Sequence, residues 1–539
     1  MVKAKYTGGV ALVLTTLLGQ PLLAQPSLPF PPGSLPGSTP DPEAQGIDPA
    51  PGPSPATAAP PLPLTLPELL NLTLAGKRDL QNRRLDRLVE RQQLAEAEQR
   101  FDPRLTPILG VSSSFREDRG EANPGDGLFN QGGTEADLEG QIRLNLDWAT
   151  RLGSRLTVGV DPLASQPLEF RLSQPLARGF GSAINEAPLN QARLEEGRNQ
   201  LALRRTLIDT LTTSIASYTN LISAQTQVEI QSQALARRQR QLEILQALVA
   251  AGRRAPIDLF DTERSLADAQ RRLVDAQNQL LQANNALLNL IGTDRALVFV
   301  VDPGDIDRLF LLAQERAARY QTTDLVPIAL AQRPDYQQSQ LQRQQLDLER
   351  QLAVDQQRWQ VDAIVDGNLG DGSRTELGLV ARRTLNDPQL ETGQVTSQVR
   401  LQQQDNTLTQ QQDQIRNDVT TRMGDVAANQ RAVAAAERAT QNARRQLQAN
   451  QEQYRLGRGN VTLFQIIAQE EDLVSAQTNE LESRIAFLNS VAQLEQTVGI
   501  TLEVWADQLD LSLLREDFEG RYNTTRLSVW LGPENTVNW

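Results

Sequence analysis

Between Leu189 and Ala251 the chain carries no proline and a single glycine, Gly197, and its apolar residues fall at helical spacing. Ile208, Leu211, Ile215, Tyr218 and Ile222 alternate by threes and fours, which keeps one face of a helix apolar. The pattern breaks at Gly252-Arg253-Arg254-Ala255-Pro256, where glycine can end one helix and proline can open the next. It resumes with Leu259, Leu266, Leu273, Leu280 and Leu287, each followed three residues later by Thr262, Ala269, Ala276, Ala283 and Leu290. A heptad with Leu at one seam position and mostly Ala at the other predicts a long antiparallel hairpin with its tip near 252–256. Leu266, Leu273 and Leu280 are expected to be buried in it, with Ala269 and Ala276 at the closest approach.

The same stretch occurs again 207 positions later. Gly252 maps to Gly459, Glu263 to Glu470, Leu266 to Gln270 onto Leu473 to Gln477, and Leu287 to Gly292 onto Leu494 to Gly499. A shorter match precedes each hairpin, Ala75 to Leu80 against Ala331 to Tyr336, at an offset of 256. The chain is therefore a duplication whose halves differ mainly in one inserted region. A helix of the first hairpin's length spans ~95 Å, and its return helix only ~50 Å. The separate helix Pro334 to Arg358 is expected to complete the first return helix end to end. Arg78 to Arg100 should complete the second, Leu463 to Val498.

From Arg104 to about Pro188 the period changes to two. Leu105 to Phe115 reads as a strand, and Ile142, Leu144 and Leu146 alternate with Arg143, Asn145 and Asp147. Leu156, Val158 and Val160 repeat the alternation, as do Leu168, Phe170 and Leu172. The second half offers two such strands, Val361 to Leu369 and Thr375 to Arg382. One polar and one apolar face suits a water-filled barrel with lipid outside, or a soluble hairpin domain.

Composition narrows the choice. Only 4% of 539 residues are aromatic and mean hydropathy is −0.42, which favours extended helix packing over one large globular core. A net charge of −13 argues against a nucleic-acid partner. The chain has no cysteine and no histidine, so Cys and His nucleophiles, His bases and thiolate metal sites are excluded. No catalytic set converges, and neither a metal nor a cofactor is expected. Residues 1–24 resemble a secretory signal peptide: Lys3 and Lys5 precede the apolar run Val10 to Leu18, too short to span a bilayer. Residues 25–65 are a Pro-rich linker. A membrane form of this chain would have to be a β-barrel, since no later segment is apolar enough for a spanning helix.

The duplicated order of helix, strands, long helix, tip and return helix, with Gln174-Pro175-Leu176 and Gly179 ahead of the long helix, resembles the TolC-like outer-membrane efflux family. The resemblance covers about residues 66–505. It implies a mainly α fold with a β-barrel portion: a homotrimer whose twelve-stranded β-barrel, four strands from each protomer, continues into an α-helical barrel. The first repeat then spans 66–292 (strands 104–176, hairpin 189–292), an equatorial region 293–333, and the second repeat 334–505 (strands 361–383, hairpin 395–499). Residues 506–539 form a C-terminal tail. Such a channel sits in outer-membrane lipid with its helices in the periplasm. It works with a periplasmic adaptor and an inner-membrane pump to export small molecules or proteins. A periplasmic adaptor or a structural coiled coil is the alternative.

The resemblance also implies a gate at the periplasmic tip. The family's second tip carries Tyr-x-x-Gly, matched by Tyr454 and Gly457, and its first an Asp six residues after a Gly, matched by Asp258 after Gly252. The family's gating arginine falls at Gly459, with Arg458 adjacent, and Arg253 and Arg254 flank the first tip. An inward Asp ring found in some members falls on Leu463 and Ile466 and is missing. The first half offers two strands more than the family needs. The hairpin at about Gln141 to Asp161 either extends the barrel or sits beside it.

Overall fold

The computed structural model describes residues 61–117, 134–162, 166–293, 297–370, 372–456 and 461–510. The signal segment, the linker up to residue 60 and the tail from 511 lie outside them. The first half runs β1 (Leu62–Pro63), α1 (Leu66–Gly76), α2 (Arg78–Glu98), β2 (Arg104–Glu117), β3 (Thr134–Ala149), β4 (Arg155–Val160) and β5 (Leu168–Pro175). A short turn α3 (Ser182–Asn185) leads into the long helix α4 (Ala187–Ala250) and its return helix α5 (Ile257–Ile291). The middle holds β6 (Phe299–Val300), α6 (Asp305–Arg319) and α7 (Thr322–Gln332). The second half is α8 (Pro334–Gln356), β7 (Gln360–Leu369), β8 (Arg374–Arg382), α9 (Pro388–Arg455), α10 (Leu463–Val498) and α11 (Thr501–Trp505).

The two hairpins form where the periodicity places them. α4 has 64 residues and α9 has 68, so each reaches ~100 Å. Gly252, at φ 71°, ends α4, with Gly252 N–H donating to Val249 O and Arg253 N–H to Leu248 O. The duplicated return helices stop on duplicated glycines, Gly292 at φ 76° and Gly499 at φ 85°. At the second tip, Thr462 and Gln465 form a reciprocal capping box that opens α10.

Two expectations about packing need correction. Thr262, Ala269 and Ala276 are the buried row of α5, while Leu266, Leu273 and Leu280 are only half-buried. With small side chains facing α4 the helix axes approach closely, and the leucines flank the contact rather than fill it. The end-to-end stacking is also exchanged. A Cβ on Gly76 would clash with the Ile291 carbonyl, and one on Gly292 would lie 2.5 Å from the Gly76 carbonyl oxygen. A Cβ on Gly499 would lie 3.1 Å from Gln332 O. So α5 ends against the junction of α1 with α2, and α10 against the junction of α7 with α8. Each return helix therefore ends against the opening of its own repeat, with the duplicated glycine at the equivalent place in both junctions.

The core is thickest at mid-length. Leu203, Leu207, Leu211, Tyr218 and Leu221 of α4 pack with Leu69, Leu70 and Leu74 of α1 and with Phe487, Val491 and Leu494 of α10. The equatorial segment clips onto this level. β6 pairs in parallel with β1, and the side chains of Asn284 and Gln225 exchange hydrogen bonds with its backbone. Glu495 faces Arg316 at 3.1 Å, and Arg316 lies 5.0 Å over the Trp505 ring. Arg204 pairs with Glu503.

All six long strands form one antiparallel sheet in the order β2–β3–β4–β5–β7–β8. The hairpin at 141–161 extends the sheet rather than sitting beside it, and the chain supplies six strands to it where the family resemblance implied four.

Candidate functional site

The registers sort the sheet into two unlike faces. Leu105, Leu146, Val158, Phe170, Gly367 and Thr375 form one row across it, and Leu156, Leu172, Val365 and Leu377 form part of the next row on the same face. Leu109 is 80% exposed on this side and Leu377 is 81%, so the apolar face has no cover among the described residues. Phe170 lies over Gly367, where a Cβ would collide with its ring. Trp148, about half exposed, sits at the end of this face nearest the helices, and Trp359, about half exposed, immediately precedes β7 at the same end. Two tryptophans there resemble the aromatic girdle that marks a membrane interface.

The opposite face is charged. One row across it reads Arg104, Asp147, Thr157, Arg171, Asp366 and Glu376. Arg171 Nε donates to Asp366 at 2.6 Å, and Arg374 pairs with Glu376 at 3.2 Å. Arg143, Asn145, Glu169, Arg171, Asp366 and Arg374 line a shallow concavity on this side. Alternation along each strand, read from the sequence, is what separates the faces, with Ile108, Ile364 and Val380 as apolar exceptions on the charged side. No described helix is long and apolar enough to cross a membrane.

At the far end of the helices the expected gate residues are dispersed. Gly252 forms the first tip as expected, while Arg253 and Arg254 are exposed and make no ion pair among the described residues. Asp258 is half-buried in the first turn of α5, where a carboxylate suits the positive end of the helix. Gly457 and Arg458 lie outside the described residues. Tyr454 packs on Leu447, Ile466 and Leu473 within its own hairpin. It also lines a cleft with Arg237, Arg240 and Ile244 of α4 and with Glu470. Within the chain Tyr454 thus lies against α4 and is not paired with Asp258.

Sequence reasoning missed a buried charge cluster some four turns above the tips. Arg238 of α4 and Glu470 of α10 are 6% and 4% exposed and 3.4 Å apart. Arg238 also donates to Ile467 O at 2.9 Å and to Gln241 at 3.2 Å, and lies 3.8 Å from Glu471, which pairs with Arg272 of α5. The cluster ties the first hairpin to the second. Burial pushes the Glu470 carboxyl up, against the pull of Arg238 and Arg237, and burial lowers Arg238. The signal lay in the heptads: Arg238 falls between Gln231 and Leu245 in a buried row spaced by seven. Glu470 interrupts the apolar row from Ile466 to Leu473.

Residues 169–293 match the family model described as outer membrane efflux protein. Several solved channels share the fold. The CmeC outer membrane channel of Campylobacter jejuni aligns with a TM-score of 0.58 at 12% identity, over 83% of this chain and 90% of that one. The MtrE outer membrane channel of Neisseria gonorrhoeae, in its open state, gives 0.57 at 13% over 81% and 89%. The outer membrane protein VceC of Vibrio cholerae gives 0.56 at 17% over 80% and 96%. No curated protein sequence matches the chain. The resemblance to the TolC-like outer-membrane efflux family therefore holds, in sequence over 169–293 and in fold over about four-fifths of the chain.

Proposed function

We propose that the chain forms a trimeric outer-membrane channel that exports small molecules or proteins with a periplasmic adaptor and an inner-membrane transporter. The observation that carries this reading is the two-faced sheet joined directly to two helical hairpins ~100 Å long. An uncovered apolar face opposite a charged one suits a wall with lipid outside and water inside. The hairpins give that wall a tunnel long enough to cross a periplasm.

Lateral association has support along the helices. α5 packs on α4, α4 on α10, and α10 on α9, which leaves α5 and α9 at the two edges of the protomer. The outer side of α5 exposes Val274 and Leu281, an apolar row that another copy would cover. Ile257, Phe260, Leu456 and Phe464 are exposed apolar residues around the tips, where an adaptor would dock.

The gate reading keeps Asp258 and Tyr454 as its principal residues, with Arg253, Arg254 and Arg458 beside them and Gly252 and Gly457 shaping the tips. Contacts between tips of neighbouring copies would hold the closed state, and an adaptor offering alternative contacts would release it. The test is fractionation, detergent size and planar-bilayer conductance. The mature chain should partition with the outer membrane, run as a trimer and give small openings. Recovery as a soluble periplasmic monomer would refute the channel.

A further inference from the structure

We propose that the sheets of neighbouring copies join edge to edge, β2 of one against β8 of the next, so that three copies close an eighteen-stranded wall. The inference rests on the trimeric channel reading above. Its starting point is that all six strands of a copy belong to one uninterrupted ladder. Fourteen residue pairs join β2 to β3, six join β3 to β4, six join β4 to β5, eight join β5 to β7 and nine join β7 to β8. There is no junction at which two strands step out of the sheet.

The faces are as continuous as the ladder. Leu105 and Leu109 on β2, and Ile142, Leu144 and Trp148 on β3, are exposed on the same side as Leu172 on β5 and Leu377 and Leu379 on β8. A hairpin standing beside the wall in water would have no use for that apolar row. Lining up with the rest, it extends the surface that lipid would cover.

Closure then needs other copies. The unpaired edges are β2 and β8. Open edges are not tolerated in hydrocarbon, and the smallest single-chain barrels have about eight strands, so six cannot close alone. The directions match. β2 leaves the helical end of the sheet and β8 returns to it, so β8 of one copy and β2 of the next are antiparallel. The two edges are also staggered. β2 and β3 continue past the level of β4, because β3 before Leu144 pairs with β2 only. Tilted strands can close a barrel only with such a stagger between edges. Barrel diameter grows with strand number, so the wall would be wider than the twelve-stranded form implied by family resemblance.

The chain contains no cysteine, which makes disulfide trapping clean. Double variants would combine Leu105→Cys, Pro107→Cys or Leu109→Cys on β2 with Leu377→Cys, Leu379→Cys or Ala381→Cys on β8. All six positions lie on the apolar face. Oxidation in isolated outer membranes should give covalent dimers and trimers on denaturing gels for at least one such register, removed by reductant. Pairing the same β8 cysteines with Leu156→Cys or Val158→Cys on β4 should give none. Bonds from β4 to β8 between copies would overturn the proposal in favour of a twelve-stranded wall with β2 and β3 outside it. Trimers that persist in detergent while no β2–β8 pair is trapped would overturn the eighteen strands and leave the channel reading standing. A cysteine-free parent that runs as a monomer would overturn both.

Discussion

Glu495 has no exposed surface, yet it places a carboxyl 3.1 Å from Arg316 and accepts from the Tyr320 hydroxyl at 3.1 Å. Burial raises its pKa above the ordinary 4.5, and Arg316, Tyr320 and Trp505 offset part of that. A carboxyl raised in the folded state contributes stability while protonated. That contribution is complete below the unfolded value and is lost as pH rises through the folded one. The melting temperature of the parent should therefore gain from this group as pH falls from neutral toward the carboxylate range. Glu495→Gln should flatten that dependence, and identical pH slopes for the two proteins would disprove the assignment. Arg238 makes a second residue-scale test. Arg238→Met leaves the Glu470 carboxyl buried without its nearest cation, and breaking a buried pair by removing one partner costs about 3–5 kcal/mol. Arg253→Met, at the exposed tip, should change stability by less than about 0.5 kcal/mol. Chemical denaturation of both variants reads the difference. Neither Glu495 nor Arg238 was legible as a site in the sequence. A charged residue in an apolar row shows its burial only when its partner is known, and Glu470 lies 232 positions from Arg238.

At the scale of elements, the junctions are as informative as the helices. Gly76 and Gly292 approach each other through backbone atoms, so Gly76→Ala forces the end of α1 and the end of α5 apart at this junction. The expected cost is about 1–3 kcal/mol, typical of overpacking. Gly252→Ala, in the left-handed region but with nothing within 4 Å, carries only the conformational penalty of about 1 kcal/mol. Equal melting temperatures for the two variants would mean that the stacked junction relaxes freely. Along the hairpin, Ala276 is 3% exposed against α4, and Ala276→Leu should cost about 1–3 kcal/mol by the same mechanism. A variant as heat-stable as the parent would place the seam elsewhere. The hairpins, tips and strands were legible because each is a local period with its own stop signal. The stacking partners were not, since the duplication gives both return helices equivalent ends and length alone fits either pairing.

For the whole molecule, the test of the gate is the double variant Asp258→Ala with Tyr454→Phe. If tip contacts between copies hold the channel shut, single-channel conductance in planar bilayers should rise several-fold over the parent. Unchanged conductance would mean that the constriction lies elsewhere. The Arg238–Glu470 cluster is the natural second candidate, because it fixes the two hairpins of one copy to each other. Exposed ion pairs at the tips are each worth only about 0–1 kcal/mol, so closure by them depends on repetition across copies.

The sequence by itself determined the duplication, the two long hairpins with their glycine-ended helices, and the alternation that separates apolar from charged positions along each strand. These are short-range consequences of period, capping and backbone freedom, and they need no knowledge of what each element touches. Only the tertiary structure decided that the 141–161 hairpin lies inside one six-stranded sheet, that each return helix stacks on its own repeat, and that Tyr454 faces α4. It also decided that Arg238 meets Glu470. All four are choices of partner between segments that are equally well formed. Strand registers, close glycine approaches and the compensation of buried charge select among them, and those quantities exist only once the chain has packed.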